Sequence, residues 1–151
     1  MNVSDNHIIW GGNYFADLLP ARSKWLVWDK GQRINQSDGE LAYTSLNGSL
    51  RIFDLNRVSI MQDGAQHPTQ KPVSLMRWCL GFFPNAHTIL DPFMGSGTTG
   101  VACAKLGRRF IGVEIDPGYF EIAVERIREA YRQPDMFTQS PAAKPQQDKL
   151  D

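Results

Sequence analysis

The sequence predicts an α/β fold related to the doubly wound sheets, and three observations carry that expectation. An apolar run, Thr88-Ile89-Leu90, leads into a turn with glycines at 95 and 97, and Ser96 to Ala104 then reads as a helix. A second strand-like run, Arg109 to Ile115, ends in two acids, Glu114 and Asp116. Glu114 lies 19 residues past Gly95, the distance at which a nucleoside-binding strand–helix–strand unit places the carboxylate that takes ribose hydroxyls.

The remaining elements follow from local pattern. His7 to Trp10 and Trp25 to Trp28 are rich in Ile, Val and Trp and read as strands, with Tyr14 to Leu19 between them as one helical turn closed by Pro20. Gly31 to Gly39 is polar and turn-prone, and Glu40 to Thr44 with Ser49 to Phe53 is expected to form a strand pair. Asn56 to Gln66 reads as a loop, and Pro72 suits the first turn of a helix. That helix, Val73 to Phe83, buries Val73, Met76, Leu80 and Phe83 and stops at Pro84. Thr88 to Leu90 is expected to be a buried strand. Asp116-Pro117 starts a last helix with Phe120, Ala123, Val124, Ile127 and Tyr131 on one face. Beyond Arg132 the chain turns Pro-, Gln- and Lys-rich, and 138–151 is expected to be disordered.

The 151 residues suffice for one domain with a real core. Sixteen basic and sixteen acidic side chains give zero formal charge, which excludes a broadly electropositive surface. Two cysteines, Cys79 and Cys103, sit in apolar helical stretches and read as core thiols, which gives no support to a disulfide framework or zinc site. With no leader-like or membrane-length apolar run, a soluble cytoplasmic protein is expected, with no membrane partner. Gly100 follows Gly97 by three residues, but Thr98 and Thr99 set this turn apart from the dinucleotide phosphate fingerprint. There is no Walker lysine either, so neither a pyrophosphate nor a triphosphate is the obvious ligand.

The segment Asp91-Pro92-Phe93-Met94-Gly95-Ser96-Gly97-Thr98-Thr99 resembles the cofactor loop of S-adenosylmethionine-dependent DNA amino-methyltransferases, and His67-Pro68-Thr69-Gln70-Lys71-Pro72 resembles their other cofactor motif. Gly112 to Asp116 and Tyr119 to Arg126 fit the family's next strand and helix. The order resembles the permuted β group, which methylates adenine N6 or cytosine N4. Ile8 to Phe15 and Trp25 to Lys30 resemble small phage or prophage adenine methylases, which favours adenine N6 and a bacterial or phage-encoded protein. The resemblance covers about residues 7 to 132.

It implies a Rossmann-like methyltransferase sheet with flanking helices, a catalytic and DNA-side half at 1–66, a cofactor half at 67–132, and a tail at 133–151. It also implies that S-adenosylmethionine is held by His67, Thr69, Lys71, Asp91, Phe93, Gly95, Gly97, Thr98 and Glu114. In that picture the glycines give close backbone approach to the methionine part, Glu114 binds the ribose, Asp91 takes the methionine amino group and Phe93 walls the pocket. Blander readings stand beside these: Lys71 as a cap around the Pro72 helix, His67 as a turn residue, and Trp10, Trp25 and Trp28 as core instead of a stacking platform for an extruded base. Arg22, Lys24, Lys30, Arg33, Arg51 and Arg57 are the candidates for contacting double-stranded DNA, and scattered solubilising charges are the equal alternative. A small-molecule or RNA methyltransferase would use a similar pocket but rarely the His-Pro-Thr-Gln-Lys-Pro element.

Family members carry an Asp/Asn/Ser-Pro-Pro-Tyr-like tetrapeptide that grips the target amine, and these 151 residues contain none, so no catalytic residue is assigned. The strand ending in it lies mid-sheet, between the strands ending at Asp91 and near Trp10. An incomplete sheet is therefore expected, with inefficient transfer by this chain alone; the alternatives are a truncated, non-catalytic cofactor- or DNA-binding remnant and one part of a split enzyme, with a completing chain or homodimer as the corresponding partner. Lastly, Gln133-Pro134-Asp135-Met136-Phe137 resembles the peptide that docks bacterial proteins on the replication sliding clamp, with Met136 and Phe137 entering a groove and Gln133 as polar anchor. The alternative has Met136 and Phe137 folding back as an end cap.

Overall fold

The computed structural model describes residues 3–31, 35, 37–56 and 70–132. It divides into two compact units, Met1–His87 and Thr88–Asp151.

In the first unit, β1 (Ile8–Trp10), β2 (Trp25–Asp29), β3 (Gly39–Thr44) and β4 (Arg51–Asp54) form one sheet in the order β1-β3-β2-β4, followed by helix α1 (Val73–Gly81). β3 runs antiparallel to both β1 and β2, with Leu26 opposite Ala42 and Trp25 opposite Tyr43. β4 runs parallel to β2, with Val27 opposite Ile52. Side chains alternate across a strand, so Leu26, Trp28 and Ala42 share the face on which Leu75 and Cys79 of α1 complete a buried core. Tyr43 packs on the other face, edge-on to Trp25 and stacked with His7. Thr44, fully buried, keeps its hydroxyl satisfied by donating to the Lys24 carbonyl at 2.8 Å.

In the second unit, β5 (Thr88–Asp91) and β6 (Arg109–Gly112) pair in parallel, with Asp91 opposite Gly112. Helix α2 (Thr98–Lys105) makes the crossover between them, and α3 (Pro117–Arg132) follows. Asp116 caps α3 as its sequence predicts, accepting the Tyr119 N–H at 2.9 Å. Ala123 of α3 is fully buried against the glycine turn. Both cysteines are buried and free, and burial pushes each thiol up to about 12.

Several expectations need correction. β3 and β4 do not pair with each other; β2 lies between them, because β3 takes the hairpin position and β4 returns in parallel. β5 is half-covered, not buried: Ile89 and Asp91 face inward while Leu90 is 43% exposed, and Ile111 of β6 shares its open face. The strand expected to reach Ile115 ends at Gly112; Val113 still donates to the carbonyl of Asp91 at the end of β5, but it accepts from the Met94 N–H, which ties the chain to the glycine turn. Tyr14 to Leu19 is replaced by a short 3-10 turn, Gly12–Phe15. On α3 only Ala123 is fully sequestered; Phe120 and Tyr131 are exposed. The two compact units meet at His87–Thr88, with α1 packed into the first sheet. The helix bounds otherwise match within a few residues.

Each unit holds its own sheet: among the described residues β1 pairs with β3 alone and β5 with β6 alone. No described helix is long and apolar enough to cross a membrane.

Candidate functional site

The turn between β5 and α2 is shaped by two acids. Asp91, at the end of β5, accepts the Phe93 N–H at 3.0 Å on Oδ1 and the Thr99 hydroxyl at 2.7 Å on Oδ2, which fixes the chain entering and leaving the turn. Glu114, just past β6, accepts the Gly95 N–H at 2.8 Å and the Asp116 N–H at 2.9 Å. The spacing of 19 residues read from the sequence is thus a direct contact. An ionised carboxylate offers about four acceptor sites, so each acid keeps capacity for a hydroxyl or an ammonium.

The two glycines serve different ends. Gly95 has φ +52°, and a Cβ there would meet no atom within 4 Å, so the space beside it is open. Gly97 has φ +78°, and its Cβ would lie 2.8 Å from the Ala123 Cβ. Close approach of α3 accounts for the missing side chain at Gly97. Gly100 likewise makes room for Ile127 of α3. Thr98 is buried as the first residue of α2, where the first-turn amides lack intrahelical acceptors. Phe93 and Ile115 are 88% and 96% exposed, apolar surfaces on the two segments that the Glu114–Gly95 bond joins.

In the first unit, Glu40 of β3 bridges two lysines: Lys30 Nζ lies 2.9 Å from Oε1 and Lys71 Nζ 3.0 Å from Oε2. Each ammonium also sits over an indole, Lys30 over Trp28 and Lys71 over Trp10. Burial raises the Glu40 pKa, but the hydrogen bonds and charges of the two lysines outweigh it, and the net shift is downward. Lys71 is therefore bound to the sheet and is not a cap on α1. Lys30 is engaged in the same network, with 18% of its side chain exposed, instead of standing free for a phosphate.

Of the other candidates, Arg51 is exposed at the start of β4, Arg22 is exposed, and Lys24 lies over the Phe82 ring. His67, Thr69, Arg33, Arg57, Gln133, Met136 and Phe137 lie outside the described residues. Trp28 is core, and Trp10 and Trp25 are part-buried. Among the described residues no cluster of His, Cys, Asp or Glu could hold a metal ion. Three participants escape the sequence reading: Glu40, Ser96 and Arg126. Arg126 Nη1 donates to the Ser96 carbonyl and, at 3.0 Å, to Ser96 Oγ. Its place one turn after Ala123, on the helix face that meets the glycines, is the signal that points to it.

A family model of N6/N4-type DNA methylases matches residues 21–125. The chain belongs to that family. Among curated relatives, the type II methyltransferase M2.MboI of Moraxella bovis is 34% identical over 123 residues, covering 78% of this chain and 45% of its own length. M2.DpnII of Streptococcus pneumoniae is 51% identical over 63 residues, covering 41% of this chain and 24% of its own. The chain thus spans less than half the length of these relatives. Among solved structures, the complex of M1.HpyAVI with S-adenosylmethionine superposes with a TM-score of 0.64 at 29% identity, covering 83% of this chain and 76% of that one. A putative DNA modification methylase of Thermus thermophilus, also complexed with S-adenosylmethionine, gives 0.50 at 25%, over 71% of this chain and 53% of that one. The fold is that of the S-adenosylmethionine-dependent methyltransferases, in incomplete form.

Proposed function

We propose that the chain is the cofactor-binding part of a site-specific DNA methyltransferase that moves a methyl group from S-adenosylmethionine to an exocyclic base amine, adenine N6 in preference to cytosine N4. The observation that carries this reading is the Glu114–Gly95 hydrogen bond, which unites the glycine turn and the strand-end acid in one site. The residues fit the cofactor: there is open space at Gly95, spare acceptor capacity on Asp91 and Glu114, and exposed apolar surface at Phe93 and Ile115.

When bound, S-adenosylmethionine supplies a methyl already activated by sulfonium, passed to the base nitrogen as the carbon–sulfur bond breaks and the amine sheds a proton. The protein's task is then to bind and orient. Glu114 would hold the ribose hydroxyls, Asp91 the amino group of the methionine part, Phe93 a wall of the pocket, and the Gly95 to Thr98 backbone the methionine end. Lys71, His67 and Thr69 belong to this reading through the resemblance of their motif. Extrusion of the target base from duplex DNA is the family's means of access, and Arg33, Arg51 and Arg57 remain the candidates for phosphate contact, with Lys30 the weaker for its internal pairing.

The test is calorimetric titration of S-adenosylmethionine and its demethylated product into the full chain. Saturable binding is expected, weakened by about tenfold or more in Glu114→Ala, as for loss of hydrogen bonds to a charged group. Absence of binding by folded parent protein would overturn the reading.

Two partner proposals accompany it. A completing chain or second copy is favoured by the half-exposed Leu90 and Ile111 on a parallel sheet, a sheet type normally covered on both faces. Docking on the sliding clamp rests on Gln133, Met136 and Phe137; clamp capture by the parent that disappears when Met136 and Phe137 become alanine supports it, and no capture by the parent ends it.

A further inference from the structure

We infer that Arg126 is a positioning residue for the glycine turn, and that through Ser96 it sets the affinity for the amino-acid end of the cofactor. The inference rests on the cofactor reading above.

Ser96 stands between Gly95 and Gly97, both at positive φ. Neither flanking residue has a side chain to brace the turn, and both have more backbone freedom than any other residue type. The Ser96 side chain and carbonyl are thus the handles by which the rest of the protein can hold the apex. Arg126 takes both, donating from one guanidinium nitrogen to the carbonyl and to Oγ. The peptide is planar, so fixing the Ser96 carbonyl also fixes the Gly97 N–H on the same peptide and with it the start of α2. Two bonds from one rigid guanidinium set tilt as well as position, which a lysine ammonium on a flexible stem cannot do.

Arg126 is itself held in place. It follows Ala123 by three residues, so it projects from the same face of α3 that packs on Gly97. The guanidinium is half-buried, its acceptors are neutral oxygens, and burial lowers its pKa. A strut between helix and turn would serve every part of a ligand alike. The geometry here is more local: Arg126 holds the Ser96–Gly97 peptide, whereas the ribose-side acid, Glu114, is held at the Asp116 amide and at the Gly95 amide on the other flank of Ser96. Loosening Arg126 should therefore affect one end of the ligand and spare the other.

The experiment is calorimetric titration of the full 151-residue chain and its Arg126→Met, Arg126→Lys and Ser96→Ala variants with two ligands. S-adenosylmethionine has the amino-acid end; 5′-methylthioadenosine keeps the adenosine and lacks it. Arg126→Met is expected to weaken S-adenosylmethionine about tenfold while leaving methylthioadenosine within about twofold, the loss of charge-assisted bonds at one end only. Arg126→Lys should recover part of that loss. Ser96→Ala, which removes one of the two acceptors without altering α3, should show a smaller loss with the same selectivity.

Equal weakening of both ligands by Arg126→Met, or no weakening of either, overturns the inference. Should Arg126→Met fail to fold, Ser96→Ala decides alone: a selective loss supports the inference and an unselective or absent one overturns it. A folded parent that binds neither ligand overturns the cofactor reading and this inference with it, whereas a parent that binds both with unselective variants overturns the inference alone.

Discussion

In the first unit Glu40 is gripped by two lysine ammoniums; in the second, Glu114 is gripped by two backbone amides. Both glutamates join segments far apart in sequence. The first junction uses long flexible side chains and net charge, and its strength depends on ionisation. The second depends on backbone placement, and the same unit brings α3 down on the turn wherever a Cβ is missing, at Gly97 and Gly100. One unit is pinned by charge and the other by the omission of side chains, and the two should fail under different insults.

The contrast is tested most severely by Gly97→Ala. The new methyl meets Ala123 at 2.8 Å and the residue must hold φ +78°. We expect about 3 kcal/mol lost from the second unit, combining backbone strain with overpacking, read as a lowered denaturant midpoint. Next comes Glu40→Gln, which leaves two part-buried lysines facing a neutral amide. A loss of about 1.5 kcal/mol is expected, between the values for exposed and fully buried pairs.

The same substitution should remove a pH dependence. Because the lysines lower the folded-state pKa of Glu40, its contribution is full above the ordinary glutamate range and disappears as pH falls through the depressed value. Parent stability should therefore drop on acidification by more than that of Glu40→Gln, and parallel curves would show that the network contributes nothing. The smallest effect belongs to Gly95→Ala. With φ +52° but open space, it should cost only about 1 kcal/mol of backbone strain. A loss equal to that of Gly97→Ala would break the distinction drawn between the two glycines.

What can be read from the sequence follows the same division. The strand–turn–helix at Asp91 to Lys105 and the acid at Glu114 are legible because glycine position and residue spacing are local and nearly rigid. The Asp116-Pro117 helix start is legible for the same reason. The Glu40 network is not, since it depends on which strand lies beside which, and the pattern pairs β3 with β4 when β2 separates them. The packing of α3 at Gly97 is not legible, because a sequence shows that a side chain is missing but not what fills its place. Arg126 looks like one more solvent-facing charge on an amphipathic helix; only packing of Ala123 on the turn brings it to Ser96. The inward half of β5 is anticipated, while the open face bearing Leu90 and Ile111 is not, because apolarity in a strand signals a capacity for burial and not its fulfilment.

The two cysteines fall one in each unit, Cys79 at 2% exposure and Cys103 at 0%, each with its thiol pushed up to about 12. A thiol that is both inaccessible and protonated does not react with an alkylating reagent until the surrounding structure opens. The chain therefore carries its own pair of clocks: the rate at which each sulfur is labelled counts the openings of its own half, and the two rates together report whether the halves come apart as one body or as two.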